Sequence, residues 1–185
     1  MRIIAGEYGG RRLKAVPGMK TRPTTDKVKE AIFNMIGPYF DGGESLDLFA
    51  GSGGLSIEAV SRGVAQATLI DRQYLAIKTI KANIDVTKEP QKFKVIKADA
   101  RNALTKLAQR KEKFAYVFLD PPYKRQKIYE IIQCLADLQL LEKGALIICE
   151  TDQEAALPQA IDGFELYKRA DYGITEITIY RYRGE

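Results

Sequence analysis

From Ser45 onward the chain alternates between short apolar runs, strand-sized and rich in β-branched and aromatic residues, and longer stretches with helical periodicity. Strands are expected at 45–49, 66–70, 93–97, 114–119 and 144–149. Helices are expected at 54–62, 73–86, 100–110, 126–140 and 153–160. Strand–helix alternation of this kind builds a parallel, doubly wound α/β sheet. The end differs: 164–170 and 174–182 are separated only by Asp171-Tyr172-Gly173, which suits a hairpin rather than a crossover. A mostly parallel seven-stranded sheet closed by an antiparallel hairpin is therefore expected. Ahead of it, Thr24 or Thr25 can cap a helix whose apolar residues Val28, Ala31, Ile32, Met35 and Ile36 share one face.

Ligands of open α/β sheets bind outside the carboxyl ends of the strands, and that edge carries acids here. Asp47-Leu-Phe-Ala-Gly51-Ser-Gly53-Gly54 sets a glycine loop between the first strand and its helix. Such a loop lets a ligand approach the backbone and points helix N–H groups at it. As a dinucleotide fingerprint it is off pattern, because Ser56 stands where the third glycine belongs. Asp71 ends the second strand twenty residues after Gly51, the place of a ribose-binding acid. Asp99, followed by Ala100, ends the third. Any one of these acids reads as a helix cap; at the ends of consecutive strands they read together as a nucleotide site.

The fourth strand ends in Asp120-Pro121-Pro122-Tyr123. Proline has no N–H, so the turn is a cluster of acceptors beside an aromatic face. It suits an NH2 group on a flat ring: the Asp120 carboxylate and a proline carbonyl take the hydrogens, and Tyr123 stacks. The competing reading is a strand-ending turn whose Asp caps a helix.

Charge is unevenly placed. Residues 1–22 hold Arg2, Arg11, Arg12, Lys14, Lys20 and Arg22 against Glu7, a net +5 equal to the formal charge of the whole chain. A basic hairpin extension over 1–22, turning at Tyr8-Gly-Gly10 on a neutral domain of 23–185, points to a polyanion such as RNA. Lys124 and Arg125, just beyond the Asp120 turn, extend that surface.

Histidine is absent, which removes His-based triads and His-containing zinc sites, and two cysteines cannot complete a structural zinc site. No metal is expected. Cys134 and Cys149 read as buried thiols of a reducing cytoplasm. The longest apolar runs are strand-sized, so no membrane span and no leader are expected.

The glycine loop, Asp71, Asp99 and Asp-Pro-Pro-Tyr, in this order and spacing, resemble the class I S-adenosylmethionine-dependent methyltransferases, Rossmann-like enzymes. Asp-Pro-Pro-Tyr resembles the branch that methylates amino nitrogens. The opening Arg2-Ile-Ile-Ala-Gly with Gly10-Arg-Arg-Leu, and Arg22-Pro-Thr-Thr-Asp-Lys-Val-Lys-Glu, are similar to the RsmD group, which methylates a guanine amino group in 16S ribosomal RNA. The resemblance covers 1–182.

It implies S-adenosylmethionine as cofactor, with Asp47 near its ammonium, Gly51 and Gly53 against its methionine part, Asp71 on the ribose, and Asp99 and Ala100 at the adenine. Thr24 and its neighbours would lie over it. Asp120, Pro121 and Tyr123 would hold the target base. Arg2, Arg11, Arg12, Lys14, Lys124 and Arg125 would hold 16S ribosomal RNA, in an assembling or assembled small subunit. Other substrates for the same chemistry are DNA adenine, transfer-RNA guanine and a protein glutamine. Readings of other kinds are a nicotinamide-dependent oxidoreductase, which has no use for Asp-Pro-Pro-Tyr, and a catalytically silent RNA-binding module.

Overall fold

The computed structural model describes residues 1–18, 24–121 and 125–184. In chain order the elements are α1 (Asp26–Ile36), β1 (Glu44–Asp47), α2 (Gly54–Ser61), β2 (Gln66–Asp71), α3 (Tyr74–Thr87), β3 (Phe93–Lys97) and α4 (Ala100–Gln109). They continue with β4 (Phe114–Leu119), α5 (Arg125–Asp137), β5 (Leu141–Asp152), β6 (Phe164–Tyr172) and β7 (Thr175–Tyr182). The strands form one sheet in the order β3-β2-β1-β4-β5-β7-β6. All pairs are parallel except β5–β7 and β6–β7. This is the Rossmann-like sheet with a terminal antiparallel hairpin that the alternation called for. The order reverses at β1, so the crevice beside the glycine loop is where a ligand belongs.

Side chains alternate across the sheet, as the two-residue period requires. Leu46, Val117, Leu119 and Ile147 face α4 and α5 in one core, with Leu104, Leu107, Ile128 and Ile132. Phe118, Ile148, Ile177 and Ile179 face α1, with Ile32 and Phe33. Leu69 and Ala67 meet Ile57 of α2, Ile77 and Ile80 of α3, and Ile3, Tyr8 and Leu13 of the N-terminal segment.

Thr25 caps α1, its hydroxyl accepting from the Val28 amide at 3.2 Å. The buried face of α1 is Val28, Lys29, Ile32 and Phe33, whereas Ala31, Met35 and Ile36 are only half-buried. Three expectations need correction. The helix foreseen at 153–160 is a 3₁₀ turn of Gln153–Ala155, capped by Asp152. Ala156 is left-handed, and Pro158 holds Leu157 away from helical geometry. The fifth strand starts at Leu141, and β6 runs on to Tyr172, so Gly173 and Ile174 alone make the turn. Finally, Cys149 is buried but Cys134 is only half so.

At the N-terminus the expected hairpin is one antiparallel bridge, Arg2 with Arg12, flanked by Ile3 N–H to the Arg11 carbonyl and Leu13 N–H to the Met1 carbonyl. Met19 to Pro23, including Lys20 and Arg22, fall outside the described residues. The segment is fastened to α2 and α3. The Glu58 carboxylate accepts from the amides of Ile4 and Ala5, and Ser61 accepts from Glu7 and Tyr8. Gly6 is left-handed, and a Cβ there would overlap the Ser61 carbonyl. No helix among the described residues is long and apolar enough to cross a membrane.

Candidate functional site

A cleft of about 1530 Å³ opens at the carboxyl edge of the sheet, lined by Asp47, Gly51, Asp71, Asp99, Ala100, Asp120, Pro121, Thr24 and Glu150 among others. Its floor is the loop that leaves β1. Gly51 is left-handed and its Cβ direction is empty space, so the backbone itself faces the cleft. The Asp71 carboxylate spans the loop and the next helix, accepting from the Gly51 amide at 3.0 Å and the Gln73 amide at 2.9 Å. Gly53 stands apart. It is left-handed too, but a Cβ there would press on Leu69 and Ile80 in the core, so its glycine serves packing. Ser52 and Gly54 line the cleft in its place.

Asp47 is buried and accepts from the Phe49 amide at 3.1 Å. Burial drives its carboxyl up to about 7, opposed by that hydrogen bond and helped by the charges of Asp71 and Glu150. An acid in this state favours a cationic neighbour. Asp99 caps α4: one oxygen accepts from the Asn102 amide, the other from its side chain. It remains exposed at the cleft wall, with lone pairs to spare.

Asp120 follows β4 directly and reaches into the cleft beside Pro121. It is packed round by protein yet open to the cleft. Burial, then the charges of Glu150 and Asp47, holds its carboxyl well above the usual range. Pro122, Tyr123 and Lys124 lie outside the described residues, and the Arg125 side chain is undescribed.

Two contributors escaped the sequence. Glu150, near the end of β5, faces the cleft, and burial raises its carboxyl too. The Thr24 hydroxyl donates to Glu150 Oε1 at 2.6 Å, across 126 positions of sequence. The signal that marked Asp47, Asp71 and Asp120, an acid at the end of a core strand, applies equally to Glu150. Asn83 of α3 is the other. Its side-chain oxygen accepts from the Lys14 amide at 2.8 Å, and its NH2 donates to the carbonyls of Lys14 and Ser52. It ties the basic segment to the glycine loop.

The basic residues divide. Arg11 donates to the Val86 and Thr87 carbonyls at the end of α3, stacked on Tyr8, and Arg2 pairs with Asp26 at 3.5 Å. Arg12 and Lys14 are exposed and form no salt bridge among the described residues. Among the described residues no group of acids and cysteines could hold a metal ion.

Comparison with known proteins shows the family and the fold. The family model described as Conserved hypothetical protein 95 matches residues 1–181. The protein YlbH of Bacillus subtilis (strain 168) is 48% identical over 184 residues, covering 100% of both chains. Ribosomal RNA small subunit methyltransferase D of Escherichia coli (strain K12) is 35% identical over 181 residues, 98% of this chain and 89% of that one. The structure of yhhF from Escherichia coli superposes with a TM-score of 0.85 at 33% identity, covering 100% of this chain and 99% of that one. The chain is thus a member of the Conserved hypothetical protein 95 family, the RsmD group that its opening motifs resemble.

Proposed function

We propose that the protein is an enzyme that transfers a methyl group from S-adenosylmethionine to the exocyclic amino group of a guanine in small-subunit ribosomal RNA. The observation that carries this reading is Asp120 with Pro121 opening into the same cleft as the glycine loop and Asp71. Family membership and the name of the Escherichia coli relative, a ribosomal RNA small subunit methyltransferase, support the ribosomal substrate.

The residues present fit the cofactor. Asp47, buried and in no salt bridge among the described residues, suits its ammonium; the bare backbone at Gly51 suits its methionine part; Asp71 and Asp99 suit its ribose and adenine. When bound, the cofactor supplies an electrophilic methyl group on a sulfonium. The rest falls to the chain. An aromatic amine is a weak nucleophile, because its lone pair is shared with the ring. Asp120 and the Pro121 carbonyl accept its two N–H bonds and turn the lone pair toward the methyl, so catalysis is chiefly orientation. On methylation the nitrogen would give up one proton, and Asp120, whose carboxylate accepts its N–H, is placed to take it. Tyr123 would stack on the base, which leaves its helical neighbours to enter. Arg12 and Lys14, with Lys124 and Arg125, would hold phosphates of an assembling or assembled small subunit in the cytoplasm.

The test offers labelled S-adenosylmethionine to small subunits from a strain lacking the gene, beside total RNA, duplex DNA and a protein extract. Label in N2-methylguanosine of the subunit RNA is expected. Label confined to DNA or protein would overturn the substrate. With Asp120→Ala, turnover should fall by about 10²-fold or more while cofactor affinity changes little. Near-normal turnover in that variant would sink the role given to Asp120.

A further inference from the structure

Resting on the proposed reaction, we infer that Glu150 reads the target base: its carboxylate accepts the N1–H of the guanine whose 2-amino group lies against Asp120.

The sheet order divides the cleft. β1, β2 and β3 bring Asp47, Asp71 and Asp99 to one half, which the cofactor's three parts would fill. The other half, outside β4, β5 and the β6–β7 turn, is left for the acceptor base. Its polar lining includes Asp120 and Glu150, beside Thr151, Asp152, Glu154 and Thr175. In the parallel β4–β5 ladder Phe118 pairs with Ile148 and Leu119 with Cys149, so Asp120 and Glu150 stand one rung further on. Phe118 and Ile148 pack in the same core. Their successors two residues along therefore project on the same side, as neighbours in a row. At the rim Ile174, 74% exposed, offers an apolar face.

Two carboxylates in a row call for donors in a row. Guanine's pairing edge supplies them, N1–H beside N2–H2. Adenine sets its amino group beside an N1 lone pair, which a carboxylate repels. The acceptors of Asp120 and Pro121 alone would grip either amine; Glu150 is what distinguishes them. Thr24 orients it, donating to Oε1 at 2.6 Å, and among the described residues it is the only hydrogen-bond partner of this carboxylate. Burial raises the carboxyls of Glu150 and Asp120; the Thr24 hydrogen bond opposes the rise at Glu150, and the charges of Glu150 and Asp47 add to it at Asp120.

The experiment compares small subunits carrying guanine or 2-aminopurine at the position that the wild-type enzyme methylates. The analogue keeps the 2-amino group and has a lone pair at N1. The wild type should favour guanine by about 10²-fold or more in kcat/KM, because a buried acceptor left without its donor rejects the analogue. In Glu150→Gln the guanine rate should fall by about 30-fold, while the 2-aminopurine rate holds or rises, since a carboxamide can donate to N1. Equal use of both bases by the wild type would overturn the inference. So would an equal fall on both bases in the variant, the mark of a merely structural role. Cofactor affinity reports whether the variant folds, and if it does not, the wild-type ratio alone decides. Absence of N2-methylguanosine with the wild type would instead refute the underlying reaction.

Discussion

Lys29 Nζ lies 3.5 Å from Glu58 Oε1 with the two side chains 3% and 0% exposed. Arg62 completes the group, its Nε donating to Glu58 Oε2 at 2.7 Å while its guanidinium covers Phe33. Lys29 also donates to the Arg2 carbonyl at 2.7 Å. Burial lowers the Lys29 pKa, and the Glu58 charge opposes the change. One carboxylate on the helix after the glycine loop thus holds two cations and the amides of Ile4 and Ala5.

Glu58→Ala should destabilise the protein by about 3–5 kcal/mol, because it leaves two buried cations without a counter-charge. Glu58→Gln should cost less. Hydrogen exchange is the discriminating measurement: the Ile4 and Ala5 amides should lose protection first.

Asp47 gives a pH-dependent pair of outcomes. Its folded carboxyl titrates near 7, above the ordinary value of 3.8, so the fold binds this proton more tightly than the unfolded chain does. Stability contributed by the protonated acid is full below the ordinary value and is lost as pH rises through 7. Asp47→Asn should therefore gain on the wild type between pH 5 and 8, by about 2 kcal/mol at the upper end relative to the lower. Its cofactor affinity should fall at least about tenfold, the loss of one charged hydrogen bond. Melting curves and cofactor titrations at both pH values check the two signs, and a variant that loses ground as pH rises would contradict the account.

Gly6→Ala should cost about 2 kcal/mol or more, because the residue is left-handed and its Cβ meets the Ser61 carbonyl. Gly10 is also left-handed but has nothing within 4 Å of its Cβ direction, so Gly10→Ala should cost only about 1 kcal/mol. Chemical denaturation of the two variants side by side separates close approach from backbone preference.

The basic segment predicts a split in RNA binding. Arg12→Ala and Lys14→Ala should each weaken binding and lower the salt slope by about 1, with melting temperature unchanged. Arg11→Ala should also lower stability by about 1 kcal/mol, since it uncaps α3 at the Val86 and Thr87 carbonyls. A plot of binding against salt for the three variants, beside their melting curves, settles it.

Much of this architecture is written in local pattern. Apolar runs mark the strands, Asp171-Tyr172-Gly173 announces the terminal hairpin, and Asp47, Asp71 and Asp120 stand out because acids at core-strand ends need a reason. What pattern does not carry is distance through space. Thr24 and Glu150 meet across 126 positions, and nothing local to Lys29 on α1 shows that Glu58 lies beside it. Asn83, on the buried side of an ordinary amphipathic helix, gives no hint that it joins Lys14 to Ser52. The 153–160 segment fails for a local reason, since Pro158 overrules the helical composition ahead of it.

β7 is the last of the three terminal strands in the chain, yet it sits between β5 and β6 and buries Ile177, Thr178, Ile179 and Tyr180. During synthesis β5 emerges with its bonding edge bare, and β6 has no partner until the strand that follows it arrives. A nascent chain of this protein therefore carries an unpaired, apolar edge through the translation of β6 and the turn after it, a template for pairing with other chains. The wait ends in a single step, because the same strand that shields β5 also recruits β6.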